Sequence, residues 1–564
     1  MNDKRFYTYI IILFCYFLGS NAYSQSLPVG ITTLEDYYRK EQLEGNIDST
    51  VSFTIRPLSS KIFSDPENVF FPDTFRNGFK FLDISPADKS KTGEVIKILP
   101  LTWYQQYNSS YPYGRNDGLI IPAKGYQTLL TGGFYLQTGK LSIQFMPEIV
   151  MAQNASFNSF PSRHYPVIWQ RYYNYYNFID LPERFGNKTY ANLDLGQSYI
   201  QYNFRNFSAG LSNENLWWGP GQKNSLLLSN NAPGFKHLSL NTNNPYKTVI
   251  GSFEAQYVFG KLDESGFTPP ESDRLYLGTT LYHPKPIESR YISGLVVTYQ
   301  PKWVPGLFVG LARTKQLYGS DIDGVIDLFP IFNSFRHDNA DTKIAIADKY
   351  ASLFMRWFFK EEQAEVYFEY GRNDQSQKFM DYVKNPGFGR AYIVGVNKLF
   401  DLNKGNGTKI QVALEVTQLQ QSSKEIIKDA GAWYVDKYVR HGYTNQGQVL
   451  GAGIGPGSNL QSLDVCWWKG MKKIGIRMER LVHNNDFYYY AFEDSKDFRR
   501  HWIDLNVGVL GEWNYKNLLL SAKLIYTNSL NYQWDLKQSD PNTYFVNGKD
   551  VTNFHASLGV TYRF

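Results

Sequence analysis

A period-two alternation of apolar and polar residues recurs along most of the chain and constrains the fold more than any other feature. The C-terminal stretch FHASLGVTYRF (554–564) shows it most clearly, with one apolar face formed by Phe554, Ala556, Leu558, Val560, Tyr562 and Phe564. Successive side chains of a β-strand point to opposite faces, so this stretch predicts a strand with one apolar and one polar face. Strands of outer-membrane barrels present apolar side chains to lipid and polar ones to the lumen. The pattern therefore predicts an all-β transmembrane barrel.

The same alternation is found in LSIQFMPEIVM (141–151), QAEVYFEYG (363–371), KIQVALEVTQ (409–418) and KKIGIRMER (472–480). The charges of these stretches fall on the polar face, where they avoid the roughly 2–4 kcal/mol that a base facing mid-depth lipid would cost. We interpret one set of them as lumen-facing ion pairs that hold a plug, with channel lining as the alternative: Glu365, Glu369, Glu415, Arg477 and Glu479. Because the pattern recurs so widely, a soluble sandwich is the weaker interpretation.

Composition agrees with this class of protein. Aromatic residues make up 17% of the chain, including 43 Tyr, 39 Phe and 12 Trp. A net charge of +6 is too small, for 58 basic and 52 acidic residues, to indicate nucleic acid as a partner. Of the two cysteines, Cys15 lies in the N-terminal apolar run and Cys466 is then alone, so we predict no intrachain disulfide.

The N-terminus, MNDKRFYTYIIILFCYFLGSNAYSQS, predicts a secretory signal peptide over residues 1–24. A basic start is followed by an apolar run to about Leu18, and Ala22 and Ser24 supply small residues before a cut after Ser24. The run is short of the roughly 20 residues that a spanning helix needs, which disfavours an uncleaved anchor. A lipoprotein is also disfavoured, because Cys15 follows Phe14 rather than a small residue.

Residues 25–94 lack the strand pattern and form a separate pre-barrel segment ahead of the barrel at 95–564. The stretch TTLEDYYRKEQLEG (32–45) predicts a short helix with acidic residues in its first turn. The segment is either a partly helical plug inside the barrel or a periplasmic tail, and its composition does not separate the two.

The stretch NENLWWGPGQKNSLLLSNNAPGFKHLSL (213–240) combines adjacent tryptophans, a Gly-Pro-Gly turn and an Asn-Asn pair. Aromatic faces stack on the C–H faces of sugars, and amides both donate to and accept from hydroxyl groups. We therefore take Trp217, Trp218, Asn230 and Asn231 as candidate polysaccharide-binding residues. The alternative is a bend that braces or plugs the barrel.

Four stretches resemble the Wzi capsule-assembly family of outer-membrane proteins. The most specific is LWWGPGQKNSLLLSNNAPGF (216–235), and the others are SFTIRPL (52–58), 99–135 and 438–463, in the order the family has them. The resemblance implies a barrel of 18 strands, closed by an N-terminal helical segment and an inward loop. It also implies a non-enzymatic, lectin-like protein that binds capsular or other surface polysaccharide and helps attach or organise it at the cell surface.

Other expectations follow from the class. The barrel would sit in the outer membrane after signal-peptide cleavage, with lipid and the barrel-assembly machinery, which reads a terminal strand like that ending at Phe564, as further partners. The alternative function is a channel for sugars or oligosaccharides. The stretch SDIDGVID (320–327) suggests a calcium loop but lacks the closing bidentate Glu, and the sequence shows no HExxH or GxSxG motif. We therefore predict no metal site, no cofactor and no enzymatic activity.

Overall fold

The computed structural model describes residues 25–62, 69–72, 94–322, 324–330, 347–373, 387–403, 407–421, 431–493, 501–535 and 550–564. The predicted signal peptide (1–24), much of 63–93 and Asp323 of the calcium-like stretch lie outside the described residues. The predicted domain boundaries stay predictions.

The described residues form a closed antiparallel barrel of 18 strands, as the sequence predicted. In chain order the strands are β1 (Val95–Asn108), β2 (Gly125–Thr138), β3 (Leu141–Phe145 and Glu148–Ala152), β4 (Tyr190–Asp194 and Tyr199–Phe204), β5 (Phe207–Ser212), β6 (His237–Thr242 and Tyr246–Lys247), β7 (Gly251–Leu262), β8 (Arg290–Pro301), β9 (Leu307–Tyr318), β10 (Asp348–Phe359), β11 (Ala364–Asn373), β12 (Arg390–Asn403), β13 (Thr408–Gln418), β14 (Asn459–Lys469), β15 (Lys472–Val482), β16 (Ile503–Tyr515), β17 (Leu518–Leu530) and β18 (Val551–Tyr562). Pairing of β18 with β1 closes the barrel.

Three helices and several short elements complete the described structure. The helices are α1 (Thr32–Leu43), α2 (Pro166–Tyr176) and α3 (Asn485–Ala491), and 3₁₀ turns lie at Ser60–Ile62, Gly319–Asp321, Val325–Leu328 and Tyr532–Trp534. Four two-stranded ladders join Ser26–Leu27 to Leu58–Ser59, Ile55–Arg56 to Trp217–Trp218, Leu275–Tyr276 to Thr279–Thr280, and Thr444–Asn445 to Gln448–Val449. Within the described part of the chain, none of the helices has the length and apolarity to cross a membrane.

The alternation of the sequence becomes the two faces of the wall. In β16, Leu505, Val507 and Val509 are exposed on the outside, while Asp504 and Asn506 are buried on the inside. The outer apolar side chains suit lipid, and the inner polar ones can hydrogen-bond within the lumen. β3 is interrupted at Met146 and Pro147, because proline has no N–H to donate to the neighbouring strand.

The two ends of the barrel differ in the length of their connections. One end has turns such as 139–140, 205–206 and 516–517, and the other has connections such as 153–189 and 263–289. β1 begins and β18 finishes at the short-turn end. Outer-membrane barrels have short periplasmic turns and longer extracellular loops, so we call the short-turn end periplasmic and the other extracellular.

The lumen is filled by the chain itself. At the periplasmic end, residues 25–62 form a partly helical plug: Leu34, Tyr38 and Phe53 pack with wall residues such as Leu99 and Tyr135. A second apolar cluster joins Leu43 of α1 to side chains of three strands, Phe308, Phe358 and Leu399. For these residues the prediction of a plug is therefore correct, and the alternative prediction of a periplasmic tail is wrong.

Two further layers lie above the plug. The inward loop (213–236) and the connection at 431–458 share an apolar core that includes Trp218, Leu227 and Trp433. At the extracellular end, α2 and α3 meet in an aromatic cluster, which we call the roof: Phe160, Trp169, Tyr172, Tyr173, Phe487 and Trp534. Each layer joins parts of the chain that are far apart in sequence.

Candidate functional site

The inward loop is held by backbone pairing with the plug. Trp217 pairs with Arg56 and Trp218 with Ile55, and the Gly219 N–H donates to the Thr54 carbonyl at 2.8 Å. Gly219 has φ +123°, and a Cβ there would lie 2.6 Å from the Glu369 carboxylate. The Gly-Pro-Gly turn therefore lets the loop pass close to the wall, where a side chain would collide.

Trp218 faces the wall and is completely buried. Its indole N–H donates to Gln256 Oε1 at 2.6 Å, and its ring leaves no room for a Cβ at Gly294. Since no face of the ring is exposed, a sugar has nothing to stack on here. Trp218 therefore connects the inward loop to strands β7 and β8.

Trp217 points the other way, as strand neighbours do. The Arg56 guanidinium carbon lies 4.3 Å from the centre of its ring, a cation–π contact. Arg56 also donates to Glu35 at 3.3 Å and to the Gly221 carbonyl at 3.1 Å. Trp217 is buried, but it lies in the wall of an internal cavity described below.

The side chains of Asn230 and Asn231 form hydrogen bonds to other parts of the protein. The Asn230 amide donates to the Asn116 carbonyl at 2.8 Å and its oxygen accepts from Asn215 at 2.7 Å. The Asn231 amide donates to the Val449 carbonyl at 2.9 Å. These contacts tie the inward loop to two other extracellular connections.

Of the lumen charges predicted from sequence, Glu365 and Glu415 hold the layers in place. Glu365 is fully buried and accepts from Arg356 at 2.7 Å on the wall and from Arg39 at 2.8 Å on the plug. Glu415 accepts from the backbone N–H groups of the inward loop, at 2.7 Å for Gln222 and 2.9 Å for Asn224. Removing one partner of a buried pair costs about 3–5 kcal/mol, so Glu365 is a strong attachment of plug to wall.

The other three charges differ in their surroundings. Arg477 makes two hydrogen bonds to Asp464, at 2.8 and 2.7 Å, and Glu479 pairs with Arg115. Glu369 is buried against Gly219 of the inward loop. Glu365, Arg477 and Glu479 thus lie in ion pairs, whereas Glu415 binds backbone N–H groups and Glu369 has no ion pair among the described residues.

A cavity of about 310 Å³, which we call the chamber, remains within the lumen. It lies between the plug, the segment 113–120 and the inner faces of strands β15 to β18, β1 and β2. Of the residues predicted from sequence, Trp217, Asn230, Arg477 and Glu479 line it, whereas Trp218, Asn231, Glu365, Glu369 and Glu415 do not. The chamber is therefore where the inward-loop motif meets the lumen charges.

Charges of the plug, the inward loop and the wall pair in and beside the chamber. Lys473 lies 2.6 Å from Asp36 and 3.5 Å from Glu512, and Lys223 lies 2.5 Å from Asp464. Burial alone would raise the pKa of Asp36, but the nearby Lys473 and Lys223 ammonium groups lower that pKa overall. Asp36 therefore stays ionised and joins the plug to β15.

The roof carries a patch that sequence reasoning missed. The ring of Tyr490 on α3 is 44% exposed, the Asn174 amide donates to its hydroxyl at 3.0 Å, and the Arg171 guanidinium lies 5.9 Å from its ring centre. Buried and partly buried rings support the patch from below: Tyr172 stacks on Tyr176 at 4.2 Å and Phe487 contacts Trp534 at 5.0 Å. We call Arg171, Asn174 and Tyr490 the outer patch.

A signal for the outer patch was present in the sequence. The stretches QRYYNYYNF (170–178) and NNDFYYYAF (484–492) are dense in tyrosine and asparagine and lack strand alternation. Pro166 begins α2, and the Asn484 side chain caps α3 by accepting from the Phe487 N–H at 3.1 Å. These cues predict short helices within the loops, where aromatic side chains are available to bind a ligand.

Comparison with protein families gives a match to the model of the capsule assembly protein Wzi over residues 123–518. The chain belongs to the Wzi capsule-assembly family. The matched range contains the inward loop and α3, and the resemblance predicted from sequence is confirmed. No curated protein sequence matches the chain significantly.

The solved structure of a Wzi protein shows the fold. Wzi of Escherichia coli, described as an outer-membrane protein involved in group 1 capsule assembly and a carbohydrate-binding β-barrel, matches with a TM-score of 0.58 and 13% identity, covering 96% of this chain and 99% of that one. OccAB2 of Acinetobacter baumannii matches with a TM-score of 0.40 and 11% identity, covering 83% and 98%. At 13% identity the first likeness shows the Wzi fold of this barrel.

Proposed function

We propose that this Wzi-family barrel binds capsular or other surface polysaccharide at its extracellular end and helps attach or organise it on the cell. The description of Escherichia coli Wzi as a carbohydrate-binding barrel supports the choice of ligand. The observation that carries the proposal is the outer patch, an exposed tyrosine ring flanked by an amide and a guanidinium. Such a set stacks on sugar C–H faces and hydrogen-bonds to hydroxyl and carboxylate groups.

The patch is built to keep its shape without a ligand. Arg171 donates to the Ala491 carbonyl at 2.9 Å, which fixes α2 against the end of α3. Because the buried rings below hold both helices, little side-chain freedom is lost when a sugar binds. Pre-organised aromatic contacts of this kind lower the entropic cost of association.

Purified protein with and without the exposed ring tests this proposal. Wild type should bind the polysaccharide of its own strain, and Tyr490→Ala should weaken that binding about tenfold, the usual loss for one aromatic contact of about 1.4 kcal/mol. Tyr246→Ala is the matched control, since Tyr246 is 46% exposed at the periplasmic end. Equal affinities for Tyr490→Ala and wild type would contradict the proposed site.

The alternative function, a sugar channel, is disfavoured by how the described lumen is filled. Plug, inward loop and wall are joined by buried charged contacts at Glu365 and Glu415, which an open pathway would have to break. We propose that the protein does not conduct in its resting state. Single-channel recording on the full-length protein tests this, and steady conductance would favour the channel.

We also propose that the role is binding without catalysis. The support is the description of Escherichia coli Wzi as a carbohydrate-binding barrel involved in capsule assembly. Incubation with the strain's polysaccharide and with lipid substrates should give no turnover. Hydrolysis that depends on a chamber residue would contradict this.

Localisation and biogenesis complete the proposal. The signal peptide is removed after Ser24, the outer apolar face of the wall contacts outer-membrane lipid, and the barrel-assembly machinery recognises the strand that ends at Phe564. The exposed apolar side chains of β16 and the pattern of β18 support these steps. N-terminal sequencing of protein from outer-membrane fractions should begin at Gln25.

A further inference from the structure

The chamber contains an ammonium group that the rest of the site does not explain. Lys523 lies near the middle of β17 and faces the chamber. Among the described residues its Nζ has neither an ion pair nor a hydrogen bond, and the Asp117 carboxylate exerts the largest attraction on it. A cation removed from bulk water without a partner is costly, so this position calls for an acceptor.

Other cations of the chamber are engaged. Arg115 pairs with Glu479, Arg477 with Asp464, and Lys473 with Asp36 at 2.6 Å. None of them needs a further anion to offset its burial. Among the described residues, Lys523 is therefore the chamber cation that makes no direct contact with a carboxylate, although Asp117 and Glu148 also line the chamber.

The chamber wall also carries polar atoms without partners. The indole N–H of Trp217 and the Arg56 Nε have no hydrogen-bond acceptor among the described residues, and Asn116 Oδ1 and Glu512 Oε2 have no donor. Buried polar atoms are rarely left unsatisfied in native proteins, and such atoms often mark a ligand or water site. These four atoms are themselves buried, so they show that the lining is polar and do not face the open volume of the chamber.

We propose that the chamber binds one acidic sugar unit, a hexuronate, whose carboxylate meets Lys523. This inference rests on the proposed function, from which the sugar class is taken. The volume of about 310 Å³ is at the lower end for small-molecule pockets and suits a single sugar unit rather than a chain. Tyr104 and Tyr113 in the lining offer aromatic surface to the ring of the sugar.

Repulsion from other carboxylates in the chamber disfavours phosphate more than it disfavours a sugar carboxylate. Asp117 and Glu148 also line the chamber and would repel a dianion more than a monoanion. The same carboxylates accept hydrogen bonds from sugar hydroxyl groups, which a phosphate ion lacks. The site is separate from the outer patch, because Arg171, Asn174 and Tyr490 do not line the chamber.

Calorimetric titration of the full-length protein in detergent tests this site, with glucuronate, neutral glucose and inorganic phosphate as probes. Glucuronate should bind most tightly, and Lys523→Gln should weaken it roughly 10- to 100-fold, the loss expected for one charge-assisted hydrogen bond. Lys523→Arg, which keeps the charge, should retain most of the affinity. Lys302→Gln, at an exposed periplasmic turn, is the matched control and should bind as wild type does.

Because the chamber is enclosed by plug and loops, a parallel sample is refolded with glucuronate present, and circular dichroism checks that each variant folds. Absence of binding in both samples would overturn the inference, as would equal binding by Lys523→Gln and wild type. Tighter binding of phosphate would overturn the sugar class. If wild type binds polysaccharide but not glucuronate, the chamber inference is wrong and the proposed function stands. If glucuronate binds in a way that depends on Lys523 but polysaccharide does not bind, the chamber inference stands and the proposed function is wrong.

Discussion

The inward loop and the roof are both rich in aromatic and amide side chains, yet they use them differently. In the inward loop the Trp218 ring is buried and the Asn231 amide is bonded to the Val449 carbonyl. In the roof Tyr490 keeps an exposed face beside Asn174. Composition alone therefore does not identify a sugar site. A sugar site also requires an exposed ring face and hydrogen-bonding groups that the folded protein does not itself use.

If the interior is structural, the largest effect on stability comes from separating plug and wall. Glu365→Ala leaves Arg39 and Arg356 buried without their carboxylate and should lower the free energy of unfolding by about 3–5 kcal/mol. Denaturant unfolding of the refolded barrel measures this. Glu362→Ala removes a carboxylate whose side chain is 75% exposed and should cost no more than about 0.5 kcal/mol. Equal stabilities for the two variants would contradict a plug held by buried charge.

The interior should also respond to pH. Glu214 of the inward loop accepts from Ser26 at 2.5 Å, and burial raises its pKa from 4.5 to about 7. The protonated form is favoured in the folded state, so its stabilising effect is full below about pH 4.5 and is lost as pH rises through about 7. At about 1.4 kcal/mol per pKa unit the loss is at most about 3.5 kcal/mol. Unfolding across this range should show that loss in wild type and not in Glu214→Gln, and parallel curves would contradict the assignment.

A smaller loss of stability is expected when only the contact between Trp218 of the inward loop and the wall is reduced. Trp218→Phe removes the hydrogen bond to Gln256 and part of the ring volume, and should cost about 2 kcal/mol. Trp303→Phe, at a site 69% exposed, serves as control and should leave the unfolding free energy unchanged. If Trp218→Phe weakened polysaccharide binding without loss of stability, Trp218 would be a contact residue, as the sequence suggested, and the contrast with the roof would fail.

The smallest effect tests the roof. Asn174→Ala removes the amide that we propose hydrogen-bonds to sugar hydroxyl groups, and should weaken polysaccharide binding about threefold to tenfold, since such a bond contributes about 1 kcal/mol. It also removes the hydrogen bond to the Tyr490 hydroxyl, so the free energy of unfolding should fall by no more than about 1 kcal/mol. Loss of stability with unchanged binding would reverse the roles of the two regions.

The wall could be predicted from the sequence because lipid imposes period-two alternation strand by strand. Stretches such as 409–418 and 554–564 became β13 and β18 with the predicted faces. The inside of the barrel follows no such rule, because the neighbours of a lumen side chain come from distant parts of the chain. Arg39 and Glu365 form a pair across 326 residues, which no local pattern shows.

The candidate site was predictable only in part. The motif at 216–235 led to Trp217 and Asn230, which line the chamber, but their exposure depends on the plug and on the segment 113–120. Neighbouring strand residues point to opposite sides, so the sequence placed Trp217 and Trp218 apart without telling which side was solvent. The outer patch was missed because α2 and α3 meet only in the folded barrel.

The central claim is that the extracellular end of this barrel holds polysaccharide on the cell. The most direct measurement is deletion of the gene, with glycan quantified on washed cells and in the medium, and complementation by wild type, Tyr490→Ala or Tyr246→Ala. We expect glycan to move from cells to medium in the deletion strain, and wild type and Tyr246→Ala to restore attachment where Tyr490→Ala does not. Unchanged partition of glycan in the deletion strain, with normal total glycan, would contradict the claim.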